Sequence, residues 1–449
     1  MLVLACAFAC SFSVTQVPPI ISDADLAYLR ELAVDVLDAS RVAPGAKVGD
    51  IGPNTSGATL IRPGGRNAYP AFWIRDYAMS LDAGVVRRDE QRHALFLTAA
   101  HQPDVEVKLP TGSVLPPGSI PDHISFGGVP IYFPGILEDY DKQGSEQWGF
   151  YPSLDDHFFF VHMAYRYGKD GGDWAFLKEM VKGKSLLARL EAAYAMPSSR
   201  EDTDLVYTTQ DKRGINFGFF DTTVHTGDLL FASILKHRAS RELAEMLNAT
   251  GDLARAARYR DAASRIANAI PKVFATSSGF LRASTGVSAQ PDVWGTAFAV
   301  YLGVLDGETE KAACNALAKA LANGTIAWKG AIRHVPTDQD FSRATAWEKS
   351  YAPKNRYQNG AYWPTPTGWV AYVAAKADLD TARGLIADYI AALREDDFRK
   401  GLEHGAPWEC RHQEKDHRQN PVYLTSVTAP LAALERMLGE QGEKAKCDN

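Results

Sequence analysis

The sequence lacks the cysteine pattern of a disulfide-stapled or zinc-binding protein. It has five cysteines in 449 residues, and two of them, Cys6 and Cys10, stand close to the N-terminus. The other three, Cys314, Cys410 and Cys447, are odd in number and unrelated in spacing. We therefore expect no disulfide framework and no zinc motif, and free buried or terminal thiols instead.

The chain also lacks any block of lysine or arginine residues. Its formal net charge is -6 at neutral pH. A basic patch or stripe is the electrostatic signature of proteins that bind nucleic acid or anionic membranes. The sequence therefore gives no support for either class of partner.

The apolar run at the N-terminus, MLVLACAFACSFSVTQVPP, is too short to span a bilayer. It ends in small residues before a Pro-rich break, as in a secretory leader, although a positively charged start is missing. The sequence therefore predicts a leader at 1–21 and a secreted or periplasmic protein. A lipid anchor at Cys6 or Cys10 is the weaker alternative, because neither cysteine has a convincing lipobox around it.

The composition that is present is that of a soluble globular protein, with 46% hydrophobic and 23% charged residues. No linker, low-complexity segment or shift in composition marks a boundary, so a single domain at 22–440 is the simplest organisation, followed by a tail at 441–449. Aromatic residues cluster around Gly and Pro. This clustering favours a cleft whose ring faces suit sugars, with ordinary packing as the alternative.

The dominant pattern from Asp23 onward is that of amphipathic helices. Segments 224–248 and 252–272 predict a helical hairpin, with a turn that ends at Gly251 and a cap at Asp252. Roughly a dozen helices are predicted. The others lie at 23–42, 75–86, 88–101, 153–168, 174–196, 292–304, 308–323, 364–377, 379–396 and 421–439. The predicted fold class is therefore all-α.

Longer stretches rich in Gly, Pro and aromatic residues separate the helices. They lie at 43–72, 107–152, 198–222, 327–363 and 398–420. Long irregular loops in a compact domain are usually functional. Because such loops repeatedly precede a helix, we expect them to gather on one face of a helical barrel.

Asp221 stands between an aromatic loop and a long predicted helix, in GINFGFFDTTVHTGDLL. Its apolar neighbours Phe217, Phe219 and Phe220 would disfavour the ionised carboxylate and raise its pKa, as a general acid requires. The alternative is structural, because Asp before Thr-Thr is also an ordinary helix N-cap. The residues alone leave both interpretations open.

Glu409 follows Trp408 in a Gly- and Pro-rich loop before the last helix. A carboxylate beside a tryptophan in a loop is unusual, and it makes Glu409 a second candidate. His412 and His417 follow closely, but their spacing matches no recognised metal site. We therefore predict no metal.

Two other segments combine acidic or basic residues with aromatic ones. FWIRDYAMSLDAG places Arg75 and Asp76 at a helix start, where one side chain can contact a ligand while the other supports the fold. WGFYPSLDDHFFF supplies Asp155 and Asp156 at another helix start, for which capping is the alternative. NGAYWPTPTGW, at 359–369, has the aromatic character of a sugar platform.

The order of these motifs resembles that in the six-hairpin glycosidases, the (α/α) toroid group that includes trehalase, the processing α-glucosidase and the glucosidase domain of glycogen debranching enzymes. WIRD at 73–76 and NGAYWP at 359–364 are similar to elements of the debranching relatives. FFDTT at 219–223 stands where the family has its general acid. PWEC at 407–410, with the following NPVYLTSVTAPLAAL, resembles the late segment that carries the base.

The resemblance implies an (α/α)6 six-hairpin barrel and an inverting glycoside hydrolase, with Asp221 as general acid and Glu409 as general base. It implies a carbohydrate substrate and no cofactor. The residues expected to contact the sugar are Trp73, Arg75, Asp76, Asp156, Asn359, Tyr362, Trp363 and Trp408.

Two alternatives stay open at this point. A polysaccharide lyase or sugar epimerase on the same toroid would use His or Tyr as its base, and His225 lies close behind Asp221. A protein that binds carbohydrate without catalysis would keep the aromatic cleft alone. The sequence does not indicate an oligomeric state.

Overall fold

Twelve α-helices follow one another along residues 19–447, the part of the chain that the computed structural model describes, with side chains described up to residue 441. They are α1 (Asp23–Ser40), α2 (Ile74–Ser80), α3 (Arg88–Ala100), α4 (Asp156–Gly171), α5 (Leu186–Ala195), α6 (Leu230–Ala249), α7 (Leu253–Phe274), α8 (Val293–Tyr301), α9 (Gly307–Ala322), α10 (Thr367–Ala374), α11 (Leu379–Glu395) and α12 (Thr425–Cys447).

The even-numbered helices form a closed inner ring. Along the chain α2 packs on α4, α4 on α6, α6 on α8, α8 on α10 and α10 on α12, and α12 returns to α2. A helix that is apolar all round must be buried on every side. The segment VWGTAFAVY of α8 meets that condition, since all of its residues are buried.

The odd-numbered helices pack outside this ring. Each contacts one or two inner helices, as α7 contacts α6 and α11 contacts α10. They are amphipathic: α7 buries Ile266 and Ile270 but exposes Arg258 and Arg260. The result is six helical hairpins in two concentric rings, so the predicted all-α (α/α)6 fold class is confirmed.

Short antiparallel strands lie in the connecting loops. They are β1 (Arg41–Val42), β2 (Leu60–Ile61), β3 (Ala71–Trp73), β4 (Val107–Lys108), β5 (Val114–Leu115), β6 (His123–Ser125), β7 (Pro130–Ile131), β8 (Met180–Val181), β9 (Lys184–Ser185), β10 (Tyr207–Thr208), β11 (Gly227–Asp228), β12 (Ala327–Trp328), β13 (Ala331–Ile332), β14 (Trp408–His412) and β15 (His417–Pro421). Two of these sheets matter for the site: β3 with β6 and β7, and the hairpin of β14 and β15.

One predicted helix, at 174–196, is wrong in its first half. That half forms a 3-10 turn at Ala175–Lys178 followed by the β8–β9 hairpin. Lys182 and Gly183 at the tip of the hairpin have φ values of 45° and 84°, which a right-handed helix cannot contain. Ser185 then caps α5 by accepting the N–H of Ala188. The spacing of apolar residues continues across this turn, so the sequence pattern could not show that the helix is interrupted there.

The predicted leader at 1–21 lies outside the described residues except for 19–21, and Cys6 and Cys10 fall in that undescribed part. At the other end α12 continues to Cys447, within the predicted tail at 441–449, and 448–449 lie outside the description. Cys314 and Cys410 are free and buried, as expected. Within 19–447, no helix combines the length and hydropathy needed to cross a bilayer.

Candidate active site

The N-terminal ends of the inner helices α2, α4 and α12 meet at one mouth of the barrel, where Arg75 pairs with Asp156 and Asp76 with Tyr423. All five long loops meet at this mouth through hydrogen bonds. One of these bonds runs from the side-chain amide of Gln358 to the carbonyl of Gly218 over 2.9 Å, and the others are described below. Their contributions are Tyr69 from 43–72, Asp122 from 107–152, Gly218 and Asp221 from 198–222, Tyr357 and Gln358 from 327–363, and Glu409 and Asn420 from 398–420.

Arg75 is the centre of a buried cluster of charges. Only 4% of it is exposed. Its Nε donates to Asp155 over 2.9 Å, and its Nη2 donates to Asp122 over 2.6 Å and to Asp156 over 2.7 Å. Gly218 makes this arrangement possible, because a Cβ at that position would lie 1.9 Å from the Nε of Arg75.

The three partners of Arg75 differ in the direction of their pKa shifts. Burial disfavours the Asp122 carboxylate, but Arg75 and the neighbouring His123 outweigh burial and lower its pKa to about 2. Burial raises the pKa of Asp155, and that of Asp156 well above its ordinary value, despite the attraction of Arg75. Of the three carboxyls that Arg75 contacts, only Asp122 therefore has its pKa lowered below the ordinary value.

Asp155 and Asp156 do not act as helix caps. Asp155 occupies the N-cap position of α4, but its side chain makes no capping hydrogen bond within the described chain. Its Oδ2 instead accepts the Nε of Arg75 and the N–H of Gly218, the latter over 2.8 Å. The capping interpretation of this pair is wrong, because the cluster around Arg75 takes both carboxylates.

Asp76 lies at the same mouth, next to Arg75 in sequence. Its Oδ1 accepts the hydroxyl of Tyr423 over 2.6 Å. Burial raises the pKa of Asp76 to about 6, against the opposing effects of Tyr423 and Arg75. Asp76 therefore joins the closing helix α12 to α2, and it carries a proton in part near neutral pH.

Asp221 follows a short 3-10 helix at Gly218–Phe220. It does not cap α6, which begins only at Leu230, after β11 and the left-handed Gly227 with φ 78°. Its side chain is half-buried, and its Oδ1 has no hydrogen-bond partner within residues 19–447. Burial raises the pKa of Asp221 to about 7. The N-cap alternative is therefore wrong.

Glu409 lies on β14 and is 1% exposed. Its two oxygens are held by different donors: the hydroxyl of Tyr69 donates to Oε1 over 2.5 Å and the amide of Asn420 donates to Oε2 over 2.6 Å. Burial raises the pKa of Glu409 to about 8, while these two hydrogen bonds act in the opposite direction. Both donors stabilise the ionised carboxylate.

Three residues around Glu409 have left-handed backbones. Tyr69 has a φ of 47°, Asn420 of 46° and Tyr357 of 45°. This conformation is uncommon for residues other than glycine and costs about 1 kcal/mol or more each, so it persists only where surrounding contacts enforce it. Strain of this kind clusters at functional sites, in agreement with a site built around Glu409.

Tyr357 connects the two candidate carboxylates. Its hydroxyl lies 3.3 Å from that of Tyr69, which in turn contacts Glu409. Burial is the main reason that the pKa of Tyr357 is raised, and the charges of Asp221 and Glu409 add to the effect. The charge of Asp221 also raises the pKa of Glu409, after burial and the charge of Asp76. Tyr357 therefore lies within electrostatic reach of both carboxylates, and Asp221, Tyr69 and Tyr357 are each only half-buried. We call the surroundings of these three residues and Glu409 the shared space.

Two of the predicted sugar-stacking tryptophans do not face this space. Side chains alternate along a strand, so Trp408 points away from Glu409, and its Nε1 donates to Asp396 over 2.6 Å. Trp363 has no exposed surface, and its Nε1 donates to the carbonyl of Tyr357 over 3.3 Å. The stacking roles expected for both residues do not fit these positions, because neither ring presents a face at the carboxylates.

Two further residues predicted to contact the sugar, Asn359 and Tyr362, make their contacts within the fold. The side chain of Asn359 accepts the N–H of Ala346 over 2.9 Å and donates to the carbonyl of Ala352 over 2.7 Å, so it shapes the loop 327–363. Tyr362 is buried and stacks on His412, with ring centres 5.6 Å apart. Neither contacts Asp221 or Glu409 among the described interactions.

Trp73, another predicted sugar contact, lies beside Tyr69. It is half-buried at the end of β3, 4.9 Å from the ring of Tyr69, and it stacks on His123 at 4.3 Å. It therefore lies at the edge of the space shared by the carboxylates, next to a direct partner of Glu409.

The sequence reasoning missed Tyr69, Asn420 and Tyr357. Tyr69 stands in an ordinary aromatic stretch before Pro70, and nothing local distinguishes it. Asn420 begins the NPVYL segment, whose resemblance to the family implies no role for the asparagine. Their function arises only from the contacts that the folded loops make.

His225 does not lie open to the shared space. It is buried against the rings of Phe220 and Trp347, with centres 5.3 and 5.1 Å away. Burial lowers its pKa to about 3, so it is neutral at ordinary pH. This position gives no support to a lyase or epimerase that uses His225 as base.

The chain is similar to known proteins in its fold but not in its sequence. No protein-family model matches the chain, and no curated protein matches its sequence. Solved structures do match. A rhamnosidase from Klebsiella oxytoca with rhamnose bound has a TM-score of 0.55 and 14% identity over 93% of this chain, which spans 65% of the rhamnosidase.

Two other similar structures are a glucoamylase and a glycosidase. The glucoamylase from Saccharomycopsis fibuligera has a TM-score of 0.56 and 11% identity, over 92% of this chain and 95% of that enzyme. A wild-type glycosidase has a TM-score of 0.50 and 14% identity, over 93% and 99%. The chain therefore has the (α/α)6 toroid fold of the six-hairpin glycosidases.

Proposed function

We propose that this protein is a glycoside hydrolase that uses Asp221 as general acid and Glu409 as general base. The observation that carries the proposal is the contrast in hydrogen bonding between two carboxyls that share one space. Glu409 receives a donor on each oxygen, whereas one oxygen of Asp221 receives none within the described chain. Paired carboxyls in different environments are how enzymes divide acid and base roles.

The contrast assigns the proton. Mutual repulsion disfavours ionisation of both carboxyls at once, so near neutral pH the pair keeps one proton. Burial raises both pKa values, to about 7 for Asp221 and about 8 for Glu409, so these values do not by themselves place the proton on Asp221. We assign the proton to Asp221 because Tyr69 and Asn420 donate to both oxygens of Glu409 and so favour its ionised form. An acid that holds a proton with a pKa of about 7 is suited to protonate a leaving group near neutral pH.

In the proposed reaction Asp221 gives its proton to the glycosidic oxygen as the bond from that oxygen to the anomeric carbon breaks. Glu409 removes a proton from a water molecule, whose oxygen bonds to the anomeric carbon from the opposite face. The configuration is inverted, and the two residues exchange protonation states before the next cycle. Inversion requires a carboxyl separation of roughly 6.5 to 9.5 Å, with space for the water.

The charge of the site favours a neutral sugar. Six carboxyls surround the mouth, and the ion pairs described there supply one guanidinium. The carboxyls are Asp76, Asp122, Asp155, Asp156, Asp221 and Glu409. A uronic acid would add negative charge to this cluster and be repelled. The named neighbours, a rhamnosidase and a glucoamylase, make aryl rhamnosides and aryl glucosides the first compounds to assay.

The test is a screen of the purified protein on aryl glycosides and oligosaccharides, with mass spectrometry of the products. Hydrolysis adds water, a lyase leaves an unsaturated sugar, and an epimerase leaves the mass unchanged. Asp221→Asn and Glu409→Gln should each lower turnover by about 100-fold or more without unfolding the protein. Asp139→Asn, which removes an exposed carboxylate paired with Lys142, is the matched control.

Unchanged turnover in either active-site variant would remove that residue from its role. If parent and Asp221→Asn bound oligosaccharide equally and neither turned it over, the protein would be a carbohydrate-binding protein. An unsaturated product would establish a lyase.

We also propose that the protein is exported, on the basis of the leader pattern at 1–21. N-terminal sequencing of protein from the producing cells, after fractionation, tests this proposal. An N-terminus near residue 22 outside the cytoplasm is expected, and an intact Met1 in the cytoplasm would contradict it.

A further inference from the structure

A second cavity, of about 400 Å³, lies at the other mouth of the barrel. It is bounded by α4, α6 and α12 and by the C-terminal end of α8, and it includes neither Asp221 nor Glu409. Four arginines line it, Arg166, Arg238, Arg241 and Arg436, together with three carboxylates and two histidines. The mechanism proposed above uses none of these residues.

Several buried polar atoms in this cavity have no hydrogen-bond partner among the described residues: three donors, Nε and Nη2 of Arg238 and Nε of Arg166, and also Nδ1 of His237. His237 is 5% exposed. The large majority of buried polar groups in folded proteins have a partner. A set of unpaired donors around one cavity therefore indicates a ligand that accepts hydrogen bonds.

Asp170 lies 3.0 Å from Nη2 of Arg166, but the carboxylates nearest to Nε of Arg166 and to Arg238 lie too far away to serve as acceptors. The Nε of Arg238 is 3.8 Å from Glu242 and its Nη1 is 4.0 Å from Asp82, while the Nε of Arg166 is 3.7 Å from Asp82. These distances exceed those of hydrogen bonds. Arg238 is therefore held near two carboxylates without a hydrogen bond to either of them.

The two carboxylates instead contact His162 closely. Its Nδ1 lies 2.6 Å from Glu242 and its Nε2 lies 3.2 Å from Asp82. Although burial and Arg238 oppose protonation, these carboxylates raise the pKa of His162 above its ordinary value. The lining carries four arginines and three carboxylates, and two of those carboxylates are engaged by His162, so positive charge from the arginines is left to attract an anion.

The cavity also offers one acceptor. Oε2 of Glu242 receives no hydrogen bond from the described residues, while Oε1 contacts His162. A simple anion would leave this oxygen unsatisfied, whereas a ligand with hydroxyl groups could donate to it. Tyr165 and Tyr301 add ring surface to the lining. The volume falls within the range of small-molecule sites, about 300 to 1,000 Å³.

We propose that this cavity binds a small polyhydroxylated oxyanion, such as a sugar phosphate or a sugar acid. Arg238 and Arg166 donate to its oxyanion, and Glu242 accepts from a hydroxyl. The site is separate from the carboxylates at the opposite mouth, so its occupation does not depend on the proposed glycosidase activity.

The test is isothermal titration calorimetry of the full chain with glucose 6-phosphate, gluconate, inorganic phosphate and glucose. At least one of the first two should bind at least about tenfold more tightly than glucose, as charge-assisted hydrogen bonds require. It should also bind more tightly than inorganic phosphate. Binding should be unchanged in Glu409→Gln, which separates this site from the proposed active site.

Two variants test whether the ligand binds in this cavity. Arg238→Gln should abolish binding. Because Arg238 is partly buried and its loss can affect folding, Arg241→Gln is the second variant; Arg241 is exposed, and its loss should weaken binding several-fold in a folded protein. Arg92→Gln, which breaks an exposed pair with Glu179, is the control and should bind as the parent does.

Three outcomes would overturn the proposal. The first is the absence of binding by both sugar anions. The second is binding that is as tight for glucose or for inorganic phosphate. The third is binding that a folded Arg238→Gln or Arg241→Gln leaves unchanged.

Discussion

The hydroxyl of Tyr69 donates a hydrogen bond to Oε1 of Glu409 over 2.5 Å, although the two residues are 340 positions apart in sequence. This hydrogen bond joins the loop before the first inner helix to the strand before the last one. It lowers the pKa of a carboxyl whose pKa burial raises. The closure of the ring of helices thus tunes the pKa of the candidate base.

Tyr69→Phe removes that donor, and so the pKa of Glu409 should rise further. A base with a raised pKa is ionised only at higher pH, so the rising limb of the pH profile of kcat/KM should move upward. At pH values below the limb, kcat/KM should fall by about tenfold. Profiles of parent and variant measure the shift, with Tyr140→Phe as a control away from the carboxylates. An unchanged rising limb would show that Tyr69 does not tune Glu409.

Arg75→Leu should destabilise the fold by about 3 to 5 kcal/mol near neutral pH, because it leaves buried carboxylates without their cation. The carboxyls of the variant ionise at a higher pH in the folded chain than in the unfolded chain. The loss should therefore be smaller in mild acid and grow as pH rises. Urea denaturation at two pH values measures it. The exposed Arg92→Leu should cost less than about 1 kcal/mol, and an equal loss in both variants would contradict the proposed role of the cluster.

Trp363 and Trp73 should respond differently to substitution. Trp363→Leu opens space in the core, so it should lower the free energy of unfolding by about 3 kcal/mol, with kinetic changes that only follow stability. Trp73→Leu should raise KM while costing less stability, because Trp73 keeps exposed surface beside Tyr69. Denaturation curves and steady-state kinetics separate the two effects. A selective rise in KM for Trp363→Leu would restore its predicted sugar contact.

Asp292 caps α8 by accepting the N–H of Gly295 over 2.9 Å, and burial raises its pKa to about 7. The unfolded carboxyl ionises near pH 4, so this residue costs stability as pH rises from about 4 through 7. Asp292→Asn keeps an acceptor for the cap and cannot ionise. It should be more stable than the parent by on the order of 2 kcal/mol at about pH 8, and by less at about pH 5.

Asp252 provides the matched control for that prediction. It also caps a helix, but hydrogen bonds from Arg255 lower its pKa, so its charge is favourable. Asp252→Asn should bring no gain at high pH. A gain of the same size in both variants would show that helix capping, and not the buried charge, is responsible.

The helices could be predicted because burial leaves a direct record in the sequence. The uninterrupted apolar segment of α8 and the single stripe of α7 have the periodicities that their places in the two rings require. The prediction of a single helix at 174–196 was wrong for a local reason. The turn at Lys182 and Gly183 depends on backbone angles, while the apolar spacing on either side continues as in one helix.

The site could be predicted only where a residue contrasts with its immediate neighbours. Asp221 among phenylalanines and Glu409 beside a tryptophan have that contrast. The partners of Glu409 do not, since Tyr69 and Asn420 acquire their role through contacts between distant loops. The direction in which the side chain of Trp408 points could not be predicted either. It depends on strand β14, and the spacing of apolar residues did not predict that strand.

The central claim, that Asp221 is the general acid, is tested most directly by how its loss depends on the leaving group. Asp221→Asn is assayed on two glycosides of one sugar, an aryl glycoside with an activated leaving group and an alkyl glycoside without one. The activated group departs with little protonation, so the variant should lose about 100-fold more activity on the alkyl glycoside than on the aryl one. Glu409→Gln should lose activity on both alike. Equal losses on the two substrates for Asp221→Asn, or no loss on the alkyl glycoside, would contradict the assignment.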